Sequence, residues 1–204
     1  MIGLSHPVSY ILPSILIGTS LRYKASDYAD YLDKANIDFD RAIALDAKNV
    51  WAWVGKGDVL TWLKQLDEAA AAYEQALALD PFADIARQPL IGIYTTQARR
   101  QVDAKSWRQA LATLKKTLNP QTPESWIAYQ KEAYVLRSEI YLKLNQPEQA
   151  IEDLSTVIRV DPTNAAALVT RAKLYRERLQ GRLAKDDLER ACSIGSVQAC
   201  EQLP

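Results

Sequence analysis

Three side chains of one segment recur at a fixed interval: Ala35, Phe39 and Ala42 are followed by Ala69, Tyr73 and Ala76. Near the other end the same interval links Ala150, Leu154 and Val157 to Ala184, Leu188 and Ala191. Within each set the steps are four residues and then three, which is one face of an α-helix. An alanine where two helices cross lets their backbones approach, while Phe39, Tyr73, Leu114 and Leu154 fill the adjacent gap. A unit this short cannot bury its apolar face alone, so such a chain folds by stacking units on their neighbours.

The fullest copy is Val50 to Pro81, VWAWVGKGDVLTWLKQLDEAAAAYEQALALDP. Trp53, Gly57 and Leu60 mark a first helix, Ala69, Tyr73 and Ala76 a second, and Asp80-Pro81 closes the unit. That order resembles the tetratricopeptide repeat, a unit of about 34 residues. Lys56 stands where the family usually has Leu, and Leu60 where it has Tyr. The resemblance covers roughly residues 33–195 and implies an all-α, tetratricopeptide-like superhelix, or solenoid, of about five helix-turn-helix units, some degenerate.

The expected units are about 26–47, 50–81, 82–120, 123–162 and 165–195, within one repeat domain over 26–195. Ser26 is a candidate N-cap for the first, whose leading part lacks the family's large residue and glycine, so residues 17–46 read as two helices or one long one. From Ala69 to Ala110 the interval lengthens to 41, and from Ala110 to Ala150 it is 40. With Pro89 in the first of these stretches, a lengthened first helix or an inserted turn at about 82–89 is expected. The cluster NPQTP at 119–123 breaks the chain, and a long helix is expected to start near Pro123, with Thr122 as N-cap, and to run through Tyr141. Gly195 fits the left-handed position after a helix, and Ser196 is placed to cap a short helix within 196–204 that covers the open end of the stack.

Lys plus Arg and Asp plus Glu are both 25, so the chain shows no electrostatic footprint for nucleic acid or anionic membrane. Residues 1–25 are apolar, but Pro13 interrupts them and the first basic residue is Arg22, so neither a signal peptide nor a spanning helix is expected. A cytoplasmic location follows as the expectation, with export or membrane association through the apolar segment left open. The only histidine is His6, which rules out a histidine-based catalytic or metal cluster in the folded body. Gly55 and Gly57 form no phosphate loop, and Cys192 has no histidine to activate it. No catalytic, cofactor or metal residue is assigned, and a non-enzyme is expected.

What the resemblance implies instead is a binding surface for another protein or peptide, since the first helix of each tetratricopeptide unit lines a concave groove. In the 50–81 unit the implied groove residues are Trp51, Val54, Asp58 and Trp62, with Trp53 buried in the core slot. Large apolar groups outside the core pattern usually mark contacts, although the apolar N-terminal segment could also cover them. The matching positions further on include Glu132, Val135 and Glu139, then Lys173 and Arg176. Members that grip a carboxylate use Lys, Asn and Arg at these sites; Val54, Asp58, Glu132 and Glu139 argue against that ligand here. An adaptor or assembly scaffold is one reading, and self-association through the repeat ends or the N-terminal segment is the other. ERACSIGSVQAC also resembles the end of a Sel1-like repeat, which implies a possible disulfide between Cys192 and Cys200. Read without that resemblance, and with no export signal evident, the two are small buried residues at a helix contact.

Overall fold

The computed structural model describes residues 25–118 and 124–203, and every regular element among them is a helix. In chain order these are α1 (Ala25–Leu45), α2 (Val50–Trp62), α3 (Leu66–Leu79), α4 (Asp84–Asp103), α5 (Trp107–Thr117) and α6 (Glu124–Ile127). They continue as α7 (Lys131–Lys143), α8 (Pro147–Val160), α9 (Ala165–Glu177), α10 (Gly181–Ser193) and α11 (Val197–Glu201). The chain divides into two compact units, Met1–Ile93 and Tyr94–Pro204, with the division inside α4.

Hairpins α2–α3, α4–α5, α7–α8 and α9–α10 share one turn. Lys64, Lys105, Asn145 and Leu179 occupy the same slot in the four units, and all four have left-handed backbone, with φ between 57° and 64°. The next N–H closes each turn on a carbonyl five residues back: Gln65 on Leu60, Ser106 on Gln101, Gln146 on Tyr141 and Gln180 on Tyr175. Such closure satisfies carbonyls orphaned at a helix end and requires a left-handed residue at that position. Gly195, at φ 95°, repeats the device before α11, and Ser196 caps that helix by accepting from the Ala199 N–H. The expected C-terminal turn and cap thus both form.

In the 1–93 unit the crossings are tight because glycines face aromatic rings. A Cβ on Gly57 would lie 2.6 Å from the Tyr73 ring, and one on Gly55 would lie 2.3 Å from the Phe39 ring. Helix α2 is therefore gripped by two aromatics that stand one repeat apart, one from α1 and one from α3. In the 94–204 unit, Ala110, Leu114, Ala150, Leu154, Val157, Ala184, Leu188 and Ala191 are all buried in one core, as their spacing predicts.

Three expectations change, and an open alternative is decided. Residues 25–45 form one uninterrupted helix, with Ser26 inside it rather than ahead of it; the stretch before residue 25 and the Thr122-Pro123 cap lie outside the described residues. Of the two options after Pro81, the chain takes the lengthened helix: α4 runs 20 residues against 13 in α2 and includes Pro89, while the turn at 81–83 repeats the one at 47–49. The long helix through Tyr141 is broken at 128–130, where the Gln130 side chain turns inward. It is 1% exposed, and its Nε2 donates to the Thr117 carbonyl, at 2.9 Å, at the end of α5. Trp53 is half-buried rather than buried, its indole N–H donating to the Ala47 carbonyl at 3.0 Å.

Candidate functional site

On α2 the expected stripe separates into outward and inward members. Trp51 and Trp62 are 62% and 50% exposed. Val54 is not on the surface: it is 6% exposed and belongs to the core. At about 100° per residue, positions 51, 58 and 62 fall within about 20° of one line, whereas position 54 lies about 60° away, toward the packed side. Asp58 is half-buried and accepts a 2.6 Å hydrogen bond from the Tyr73 hydroxyl. Burial holds its carboxyl above the ordinary range, with the bond from Tyr73 partly offsetting this. Burial, the Asp58 charge and the same bond push the Tyr73 hydroxyl far above its ordinary value. Asp58 is thus anchored to the ring that packs on Gly57 and is only partly available to a ligand.

Trp51 also lines a cleft of about 560 Å³ at the turn edge of the 1–93 unit, together with Phe82 and Ile85. Phe82 and Ile85 are 87% and 43% exposed. Ile85 stands one repeat interval after Trp51, so the sequence pattern could have located it.

The 94–204 unit carries a second cleft, of about 400 Å³, across its first helices. Thr95, Thr96, Arg99 and Arg100 come from α4, Lys131, Glu132 and Val135 from α7, and Asn164 from the start of α9. Asn164 caps α9 by accepting from the Ala167 N–H at 3.0 Å, and Asn49 caps α2 in the same way through Ala52. Arg99 pairs with Glu139 at 3.1 Å, both about half-exposed, and Lys131 pairs with Asp161 at 2.8 Å. That lysine holds the Asp161 carboxyl below its ordinary value. Among the described residues the side chains of Arg100, Glu132 and Lys173 have no ion partner. Arg176 is committed elsewhere: its guanidinium donates to the Gln202 side chain at 3.3 Å and to the Gln202 carbonyl, tying α9 to the residues after α11. Glu132 and Val135 therefore meet in one groove with Arg99 and Arg100, while Arg176 serves the fold.

Two buried ion pairs also follow the repeat interval. Arg137 holds Asp153 through two hydrogen bonds of 2.8 and 2.6 Å, and Arg171 holds Asp187 through two of 2.8 and 2.7 Å. Each aspartate is almost fully buried, and each guanidinium lies over a tyrosine, Tyr141 or Tyr175. The hydrogen bonds that Arg171 donates to Asp187 push its guanidinium upward against the effect of burial. Arg137 to Arg171 and Asp153 to Asp187 each span one repeat interval, so the spacing that reveals the apolar slots reveals these charges too.

At the C-terminal end Cys192 and Cys200 form a disulfide, with their Cα atoms 4.8 Å apart. The reading as two small buried thiols is corrected: Cys200 is exposed, and the turn at Gly195 carries α11 back far enough for the sulfurs to meet. Among the described residues no group of acidic, histidine or cysteine side chains is placed to hold a metal ion, and no helix is long and apolar enough to cross a membrane.

The sequence profile of the tetratricopeptide repeat matches residues 50–82 and again residues 131–164, and these segments are tetratricopeptide repeats. No curated protein matches the chain. Among solved structures the chain is similar to MamA, at 16% identity and a TM-score of 0.50, covering 88% of this chain and 99% of that one. It is also similar to YrrB, described as a tetratricopeptide-repeat protein with an unusual peptide-binding site, at 19% identity and a TM-score of 0.50, covering 85% of this chain and 84% of that one. At these identities the likeness establishes the all-α tetratricopeptide fold.

Proposed function

We propose that this tetratricopeptide-repeat chain is a protein-binding module that takes a peptide segment of a partner across the first helices of its repeats, as an adaptor or assembly scaffold does. The observation that carries the reading is the cleft across α4, α7 and the start of α9, where Val135 and the two threonines form a strip lined also by Arg100 and Glu132. An extended segment could lay alternate side chains on that strip and meet the charges with its polar ones. The Arg99–Glu139 pair sits at the surface, where such pairs contribute about 0–1 kcal/mol, so a ligand could open it at little cost. In the 1–93 unit Trp51 and Trp62 are exposed aromatics on one stripe of α2.

The test is affinity capture from the native source followed by mass spectrometry, comparing wild type with Val135→Glu/Arg100→Glu. Loss of a specific partner from the variant, at unchanged helicity, supports the groove; equal capture by both removes it. Sedimentation at several concentrations separates this reading from self-association, which predicts a mass that rises with concentration and falls on deletion of residues 1–20.

A further inference from the structure

The turn-edge cleft of the 1–93 unit is built by two loops that repeat one another. Asp46 and Asp80 occupy equivalent positions, and each accepts a hydrogen bond from a backbone N–H two residues on, Lys48 at 3.0 Å and Phe82 at 2.9 Å. Each carboxylate thereby spends one oxygen on its turn, and the other accepts no hydrogen bond among the described residues. The loops are pinned by a second shared device. The Trp53 indole donates to the Ala47 carbonyl, and one repeat interval later the Arg87 guanidinium donates to the Pro81 carbonyl. Both walls are thus held in place by side chains of the helices that follow them, so a ligand meets a preformed surface and binding costs little loop ordering.

Between these walls stand Trp51, Phe82 and Ile85, all exposed, around a space of about 560 Å³. Adjacent exposed groups of this size mark contact surfaces more often than solvated ones. Asp46, Asp80 and Asp84 line the same cleft with Lys48, a formal charge of −2 from the four and of −1 with the Arg87 guanidinium that pins the wall. None of the four makes an ion pair among the described residues, and α1 and α3, which end here, carry no basic residue in their last turns. The groove across the first helices, by contrast, mixes both signs.

We infer that this cleft, where the Trp51 end of the α2 stripe meets the two turns beside it, is a docking site distinct from the 94–204 cleft, for a partner segment with an apolar anchor flanked by lysine or arginine. The anchor sits on Trp51, Phe82 and Ile85, and the flanking cations reach the free oxygens of Asp46 and Asp80 and the carboxylate of Asp84. Aspartates at the rim speed encounter and select the sign of the partner, while the aromatic floor supplies most of the affinity.

The test uses the full chain and three fluorescein-labelled peptides followed by anisotropy. One carries Leu-Phe between two pairs of lysines, one carries Leu-Phe between two pairs of glutamates, and one carries Ser-Ser between the lysines. The lysine-flanked Leu-Phe peptide is expected to bind, and the other two at least about tenfold more weakly. Phe82→Ser is expected to weaken the first peptide about tenfold or more, and Asp80→Asn/Asp84→Asn to weaken it a few-fold and flatten its salt dependence. Phe82 is 87% exposed, so its replacement spares the fold, which a thermal melt checks. Equal binding of the lysine and glutamate peptides, or no effect of Phe82→Ser, overturns the proposal. So does a concentration-dependent dimer that Phe82→Ser abolishes, since the occupant is then a second copy. Val135→Glu/Arg100→Glu, which disables the first-helix groove, leaves this binding unchanged if the two sites are independent.

Discussion

The hairpins α2–α3 and α9–α10 place their helices by different chemistry on one backbone plan. In α2–α3 the crossing is apolar: Gly57 makes room for the Tyr73 ring, and Asp58 accepts from its hydroxyl. In α9–α10 the corresponding slots hold Ala172, Leu188 and Lys173, and the helices are clasped by Arg171 and Asp187 instead. The slots of that ion pair in α2–α3 hold Lys56 and Ala72, and Lys56 turns to Asp40 on α1. A glycine opposite an aromatic and an arginine opposite an aspartate are thus interchangeable ways to fix one crossing. The first depends on shape and the second on a desolvated charge pair.

The largest effect that could break this comparison is expected in α9–α10. Asp187→Ala leaves Arg171 buried without its partner and is expected to cost about 3–5 kcal/mol, whereas replacing both by leucine costs far less, since the desolvation penalty of both charges disappears. Urea unfolding of the single and double variants measures the difference; equal losses would mean that the clasp contributes through packing rather than charge.

Gly57→Ala tests the apolar counterpart. The added methyl meets a Tyr73 ring that is 1% exposed, so about 1–3 kcal/mol of overpacking is expected. Gly55→Ala is expected to cost less, because the Phe39 ring is only half-buried and can move. A thermal melt of each variant ranks them.

A pH series sharpens the comparison further. Asp58 titrates higher in the folded chain than its ordinary value of 3.8. Between those two values the folded state holds more proton than the unfolded one, so its contribution to stability falls as pH rises through that window. Asn keeps an oxygen for the Tyr73 hydroxyl without the charge. Asp58→Asn is therefore expected to be at least as stable as wild type and to lose that part of the slope, read from urea midpoints between roughly pH 4 and pH 7.

The smallest effect is expected at the shared turn. Leu179 holds φ 59° while 95% exposed, and Leu179→Gly relieves that backbone without removing a contact. A gain of about 1 kcal/mol follows, the smaller for the added freedom of the unfolded glycine. The same change at Asn145 is expected to do less, because asparagine tolerates this conformation better than leucine.

Much of the fold is legible in the chain because its rules are local. Alanines and large residues at fixed intervals define helix faces, and Gly195-Ser196 marks a turn and a cap whatever lies nearby. The left-handed slot escaped the same reading because Lys64, Lys105 and Leu179 are not turn-formers: closure of the helix end imposes their conformation, and no preference of their own does. The break at 128–130 escaped it as well; there Gln130 bonds a carbonyl of another helix, a contact no local pattern encodes.

The candidate sites divide along the same line. From sequence alone the stripe Trp51, Asp58 and Trp62 lies on one face of α2, because helical geometry fixes angular position from spacing. Which members of a stripe meet solvent depends on the neighbouring helices: they bury Val54, bond Asp58 to Tyr73, and bring Phe82 and Ile85 beside Trp51. The repeat interval determined that helices would stack and marked the slots of Arg137 and Asp153; the tertiary structure decided that the two meet, that Cys192 and Cys200 are bonded rather than buried as thiols, and that two turns wall one cleft. The physical reason is range. Backbone periodicity acts over a few residues, whereas each of those pairings needs groups from separate elements brought within a few ångströms by packing that the whole chain determines.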